Sequence, residues 1–266
     1  MNGITLWLEL ARRSFRSKSV YRVNVLVNLF YSFMKILISV SVWNALYAYH
    51  TDPVATRFEA ITYSVISYTL LYGMLLWPGE RIGEAVYSGE VGQQMVRPMH
   101  LLAQHTAMEF GEKLFLFFTS MLPSILIAKI FFSALMFPKS ILDLSLFLLS
   151  ALLGNIIFSL INTVLGYTAF WLGNVWYMSW FLSAVMYVFG GDMIPLWFLP
   201  EKLYRLASVL PFRCVLYVPM EIYLGRFTGN EIILNLLVQI MWILIMVVLE
   251  RFVWYRAQKR IVVQGG

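Results

Sequence analysis

Residues 78–98 read PGERIGEAVYSGEVGQQMVRP, a polar interruption between two long apolar stretches. Glu80, Arg81, Glu84, Glu90 and Arg97 are too costly to desolvate for this segment to lie in lipid, so it belongs in water or against a polar partner. Its pattern is that of a short amphipathic helix. Ile82, Ala85 and Val86 fall on one side, Arg81, Glu84 and Ser88 on another, and Gly89 stands where a helix stop is expected. Two readings stay open on amphipathicity alone: a membrane-edge contact for a soluble protein, or an ordinary solvated loop.

The flanking chain is suited to a bilayer. Of its 266 residues, 60% are hydrophobic and 13% charged, and the mean hydropathy of +0.74 excludes an ordinary soluble domain. Aromatics make up 17%, including 9 Trp and 15 Tyr, rings that collect at membrane interfaces. Cys214 is the single cysteine, which rules out an intrachain disulfide and a cysteine metal cluster. The net charge of +6 suits anionic lipid headgroups, and no basic stripe points to nucleic acid. Composition does not shift along the chain, so 1–266 is read as one domain.

Spans are placed outward from the interruption. Residues 4–18 put Ile4, Trp7, Leu8, Ala11 and Phe15 on one face and Glu9, Arg12, Arg13 and Arg16 elsewhere, which predicts an interfacial helix. Residues 23–49 are transmembrane in length and lack a small-x-small cleavage site, which favours a retained first span over a signal peptide. A polar link holding Asp52-Pro53 leads to a second span at 60–77. After the interruption and its continuation through Lys113 come spans at 114–137, 141–170, 175–189 and 232–253, with a short turn at 171–174. Between the last two, residues 190–229 are apolar but broken by Pro195, Pro200, Pro211 and Pro219, so short re-entrant helices forming a cap are predicted. Six spans place both ends on one side. Twelve cations lie on that side and six on the other, which puts the termini and residues 78–98 in the cytoplasm and the cap outside.

At this point the residues resemble a known family, the ABC-2 type permeases of bacterial ATP-binding-cassette transporters. Ile82-Gly83-Glu84, Ser88-Gly89-Glu90 and Val96-Arg97-Pro98 are similar to the family's "I…SGE…L-R-P" segment after its second span. Gly190-Gly191, Ile194-Pro195-Leu196, Pro200, Leu210-Pro211-Phe212, Pro219 and Tyr223-Leu224-Gly225 are similar to its outer cap, with Asp192 after the glycines as a departure. The resemblance covers essentially the whole chain and implies an all-α, type V exporter-like membrane fold. It further implies a non-catalytic half-transporter in the bacterial inner membrane, paired with a second permease subunit, identical or related, and with two cytoplasmic ABC ATPase subunits. Arg81, Glu84, Ser88, Gly89, Glu90, Arg97 and Pro98 would then belong to a coupling helix set into the ATPase, with 171–174 as a smaller contact. ATP and Mg would sit on that partner, since no G-x-x-x-x-G-K-[ST] loop occurs here.

Several residues invite a chemical role beside a structural one. Lys35, near the middle of the first span, would line a substrate route, pair across a dimer, or snorkel to the headgroups; Lys129 suits snorkelling. Tyr63, Ser67, Tyr68, Tyr177, Met186 and Tyr187 would form an aromatic, methionine-containing wall along a translocation path for an amphipathic cargo, or simply pack. His100, His105 and Glu109 are too few for a metal site and suit a solvated interfacial face better, with Glu109 and Glu112 near Lys113 as local charge partners at the membrane edge. Asn155, Asn162, Thr163 and Gly166 form a small polar stripe that favours helix packing. A membrane-embedded enzyme needs converging catalytic groups, and a secondary carrier suits repeated halves; neither pattern is evident. With the resemblance, the first expectation is an exporter's permease subunit for an amphipathic or hydrophobic cargo such as a drug, lipid, glycan or peptide, the alternative being a membrane-embedded enzyme or a self-contained secondary carrier or channel.

Overall fold

The computed structural model describes residues 3–19, 22–49, 54–132, 135–192 and 194–260. Every regular element among them is helical. Helix α1 (Gly3–Ser19) precedes α2 (Arg22–Tyr49), and α3 (Arg57–Ile66) runs on through a π-helical turn, Ser67–Tyr72. The polar interruption folds as α4 (Pro78–Tyr87) and α5 (Val91–Met95). Then come α6 (Leu101–Leu116) and α7 (Leu122–Phe132), joined by the π-helix Phe117–Met121, followed by α8 (Ile141–Tyr167), α9 (Ala169–Leu172) and α10 (Trp176–Phe189). In the proline-broken region lie α11 (Glu201–Val209) and α12 (Tyr217–Tyr223), and α13 (Gly229–Ala257) follows. Asp52-Pro53 lie outside the described residues.

Four helices among the described residues are long and apolar enough to cross a membrane: Val23–Ala48, Leu101–Ile130, Ile141–Leu172 and Gly229–Arg260. Helix α10, with 14 residues, is about 21 Å long and falls short of a ~30 Å hydrocarbon core by itself. Several boundaries differ from those the sequence predicts. The second span starts at Arg57, where Thr56 and Glu59 close a capping box, and loses helical form by Leu75. The third begins at Leu101 rather than 114. Glu109, Glu112 and Lys113 argue against a span by hydropathy, but α1 and α4 cover this turn of helix and supply opposite charges.

Helix α1 packs against the rest of the protein. It runs along α6, with Trp7 against Phe110 (5.3 Å between ring centroids) and Phe15 edge-on to Phe115 (5.4 Å). The backbones approach closely at Gly111, where any Cβ would overlap the Ala11 carbonyl.

Lipid offers apolar surface as readily as a protein does, so inner contacts are set by small residues and hydrogen bonds rather than by a hydrophobic drive. The polar stripe on α8 illustrates this. Asn155 Nδ2 donates to the Met74 carbonyl (2.8 Å) and its Oδ1 accepts from Leu76 N–H (3.2 Å), while Asn162 Oδ1 accepts from Gly79 N–H (2.7 Å). Gly166 lets the Gly79 backbone lie directly on α8. On the other side, Gln239 of α13 accepts from the Ser150 hydroxyl and donates to the carbonyls of Ser150 and Cys214.

The proline-broken region is held inward as well as bent. A 77° bend separates Glu201–Val209 from Pro211–Tyr223. Cys214, Val215, Leu216, Val218 and Met220 are fully buried against α8. Pro195 precedes a 3-10 turn, Pro200 caps α11, and Pro211 opens a second 3-10 turn. Pro219 sits in the first turn of α12, where its missing N–H leaves no helix bond broken.

Candidate functional site

Two places carry the residues singled out by sequence. The first is built on α4. Its start is seated on α8 through Gly79, its flank at Gly83 meets Val175, and Ile82 and Ala85 join Val91, Leu101, Tyr167 and Ala257 in a small apolar cluster. Gly89 ends the helix with φ +81°, a left-handed conformation that glycine adopts without Cβ strain. With its apolar side used up, α4 leaves Glu84, Ser88, Gly89 and Glu90 exposed, followed by Arg97 and Pro98. The turn at 171–174 lies beside it, with Trp171 and Leu172 also exposed.

Arg81 departs from that surface. Its Nε lies 2.5 Å from Glu109 Oε1 and its Nη2 2.7 Å from Glu112 Oε1. Burial alone would lower the guanidinium's pKa, but the two carboxylates outweigh it and hold it above the ordinary arginine value. Glu112 also takes Lys18 (3.0 Å) and the Ser14 hydroxyl (3.3 Å) of α1. Arg81 therefore links α4 to α6 and, through Glu112, to α1. Sequence alone does not reveal this clamp, because the carboxylates lie 28 and 31 residues away in a stretch whose charges read as a loop. The histidines go to other partners: His105 Nε2 faces Gln94 Oε1 at 2.9 Å, and His100 lies beside Glu250 and Trp254. Among the described residues no three His, Cys, Asp or Glu side chains group as metal ligands.

The second place is a cleft of about 830 Å³ between α2, α3 and the start of the proline-broken region. Lys35 lines it, half-buried, with Nζ 3.5 Å from the Tyr68 ring centroid and 4.5 Å from that of Tyr31. Tyr187 and Asp192 line it too. Tyr63, Ser67 and Met186 do not; all three are fully buried. Tyr63 donates to the Gly191 carbonyl (2.7 Å) and Met186 packs under Gly190, so these side chains hold the double glycine in place. Tyr177 is exposed on α10, away from the cleft, and Lys129 is exposed beside the Phe137 ring (4.1 Å).

The two places lie toward opposite ends of the long helices. Near the first are the C-terminal ends of α8 and α13. Near the second, Arg226 bridges Glu59 (3.9 Å) and Glu221 (3.5 Å), and the Tyr223 hydroxyl donates to Met136. No curated protein sequence matches the chain. The family model described as ABC-2 family transporter protein matches residues 26–265, all but the first 25 residues and the last. A multi-pass arrangement of apolar helices joined to this match makes the chain a member of the ABC-2 transporter family, whose membrane subunits are generally non-catalytic and associate with ABC ATPases.

Proposed function

We propose that this chain is the permease subunit of an ATP-driven exporter, with α4 and α5 as the element that receives the motion of a cytoplasmic ATPase subunit. A coupling element needs one face fixed to the membrane helices and another free for the partner. The division of α4 into a buried face seated on α8 and a rim of Glu84, Ser88, Gly89 and Glu90 in solvent is the observation that supports this reading. A push on that rim passes directly to α8 at the Gly79–Gly166 contact and to α6 through Arg81. Residues 171–174 add a second contact beside it.

In this reading six helical runs cross the membrane, α3 with its π-helical continuation and the short α10 being the two additional crossings, and the termini face the cytoplasm. Two such subunits, identical or related, enclose the route, and the ATPases carry ATP and Mg. Residues 190–229 form the outward cap. Lys35 belongs to the translocation path, whereas Tyr63, Ser67 and Met186 support its wall. The apolar cleft suits an amphipathic or hydrophobic cargo.

The test is charge reversal on the rim. Glu84→Lys and Glu90→Lys alter exposed side chains, so each variant melts within about 0.5 kcal/mol of the parent. Co-purification of a co-expressed ATPase falls at least several-fold in one or both, or ATP turnover loses its response to cargo. Unchanged association and coupling in both variants would remove α4 from this role.

A further inference from the structure

The cleft beside Lys35 holds an acid and a base that do not satisfy each other. Asp192 is 1% exposed, and neither of its carboxylate oxygens has a hydrogen-bond partner. Burial pushes the Asp192 carboxyl up to about 7 against the opposing field of Lys35, whose ammonium rests on the Tyr68 and Tyr31 rings instead of joining the carboxylate. No other charged residue lines the cleft among the described residues. A buried ion left without a partner is costly, so an unpartnered carboxyl in the wall of a cavity ionises where a cation or a hydrogen-bond donor can reach it. The lysine keeps donors for an anion, since a ring face accepts charge but fills none of its hydrogen-bonding needs.

The rest of the wall is apolar. Lys35, Ser39, Val42 and Leu46 follow one another along one face of α2, and Ile38, Val54 and Phe198 add further greasy surface. From Lys35 to Leu46 this face extends about 16 Å, enough to lie along a medium-length alkyl chain.

We propose that this cleft binds a zwitterionic amphiphile, its cationic group on Asp192, its anionic group on Lys35, and its alkyl chain along α2. This rests on the permease reading and names the class of its cargo. A purely anionic amphiphile brings a second negative charge to Asp192 and leaves that carboxylate unpaired. A purely cationic one does the same to Lys35. Only a headgroup carrying both signs neutralises both residues without importing a net charge into a low-dielectric site.

The test uses the chain co-expressed and purified with its ATPase in nonionic maltoside micelles. Three probes share one alkyl chain: a lysophosphatidylethanolamine, an alkyl phosphate and an alkyltrimethylammonium. The parent binds the zwitterion about tenfold or more tighter than either of the others. Asp192→Asn shifts the preference to the alkyl phosphate and Lys35→Gln shifts it to the ammonium, each weakening the zwitterion about tenfold. A merely structural pair would weaken all three probes together and leave their order unchanged. Ser39→Trp, which fills the cleft beside Lys35 and alters neither charged residue, abolishes binding of all three. Equal binding of the probes by the parent, an order that neither charge variant alters, or full binding by Ser39→Trp overturns the proposal. Whether the ATPase stays on the column is read in the same preparations: its absence removes the permease reading and leaves the headgroup preference to be judged separately.

Discussion

At the scale of single residues, glycine sets how closely the helices approach. A Cβ at Gly166 would overlap the Cα, carbonyl carbon and oxygen of Gly79, which are backbone atoms with no rotamer to relieve them. Gly166→Ala therefore has to push α4 off α8 and stretch the 2.7 Å bond from Gly79 N–H to Asn162. Overpacking of this kind costs roughly 1–3 kcal/mol, which lowers the melting temperature in micelles by about 2–10 °C. Gly92 provides the contrast: it lies in α5 with open space around it, so Gly92→Ala leaves the melting temperature unchanged or slightly higher. Equal melting of Gly166→Ala and the parent in thermal-shift measurements would exclude the close contact. The stripe of Asn155, Asn162 and Gly166 was readable as a packing surface because small and amide side chains recur on one apolar helix. Which element it receives was not readable, since Gly79 lies in a segment whose charges point to water. The same holds for Asp192, which the residues themselves single out only as an acid in an apolar stretch.

At the scale of elements, the main surprise is the N-terminal half of α6. Hydropathy counts Glu109, Glu112 and Lys113 as interruptions, so a span was expected only from residue 114; the helix runs from Leu101 because Arg81 and Lys18 neutralise its carboxylates. Sequence distance hides such pairing. The helix at 4–18 was legible from its amphipathic period, but α6 covers much of the face that periodicity assigns to the interface. This makes α1 separable from the rest by one change. Gly111→Leu collides with the Ala11 backbone and lifts α1 away, while α6 keeps its own hydrogen bonds and its contact with Arg81. Limited trypsin digestion of the purified variant then cuts at Arg12, Arg13 and Arg16 at least several-fold faster than in the parent, with the fragment from α2 onward preserved. Unchanged cutting would mean that α1 is held by lipid or detergent alone.

At the scale of the whole molecule, the long helices join two dissimilar ends. One gathers α4, α5, the 171–174 turn and the last turns of α8 and α13; the other gathers residues near Glu59, Met136 and Arg226 with the proline-broken segment. In the proposed six-span topology charge decides which end faces the cytoplasm, twelve cations against six, a bias that the membrane potential and anionic lipids act on during insertion. The chain offers a clean means of measuring it. Cys214, its only cysteine, is fully buried, so the parent gives little background with an impermeant maleimide. Gln93 and Lys202 are both exposed and lie in the two ends. Lys202→Cys is labelled on intact cells, whereas Gln93→Cys is labelled only after the membrane is opened. The reverse pattern inverts the molecule and takes α4 out of reach of a cytoplasmic ATPase. Labelling of both sites on intact cells would place the two ends on one side, which α8 and α13, each long enough to cross, do not allow.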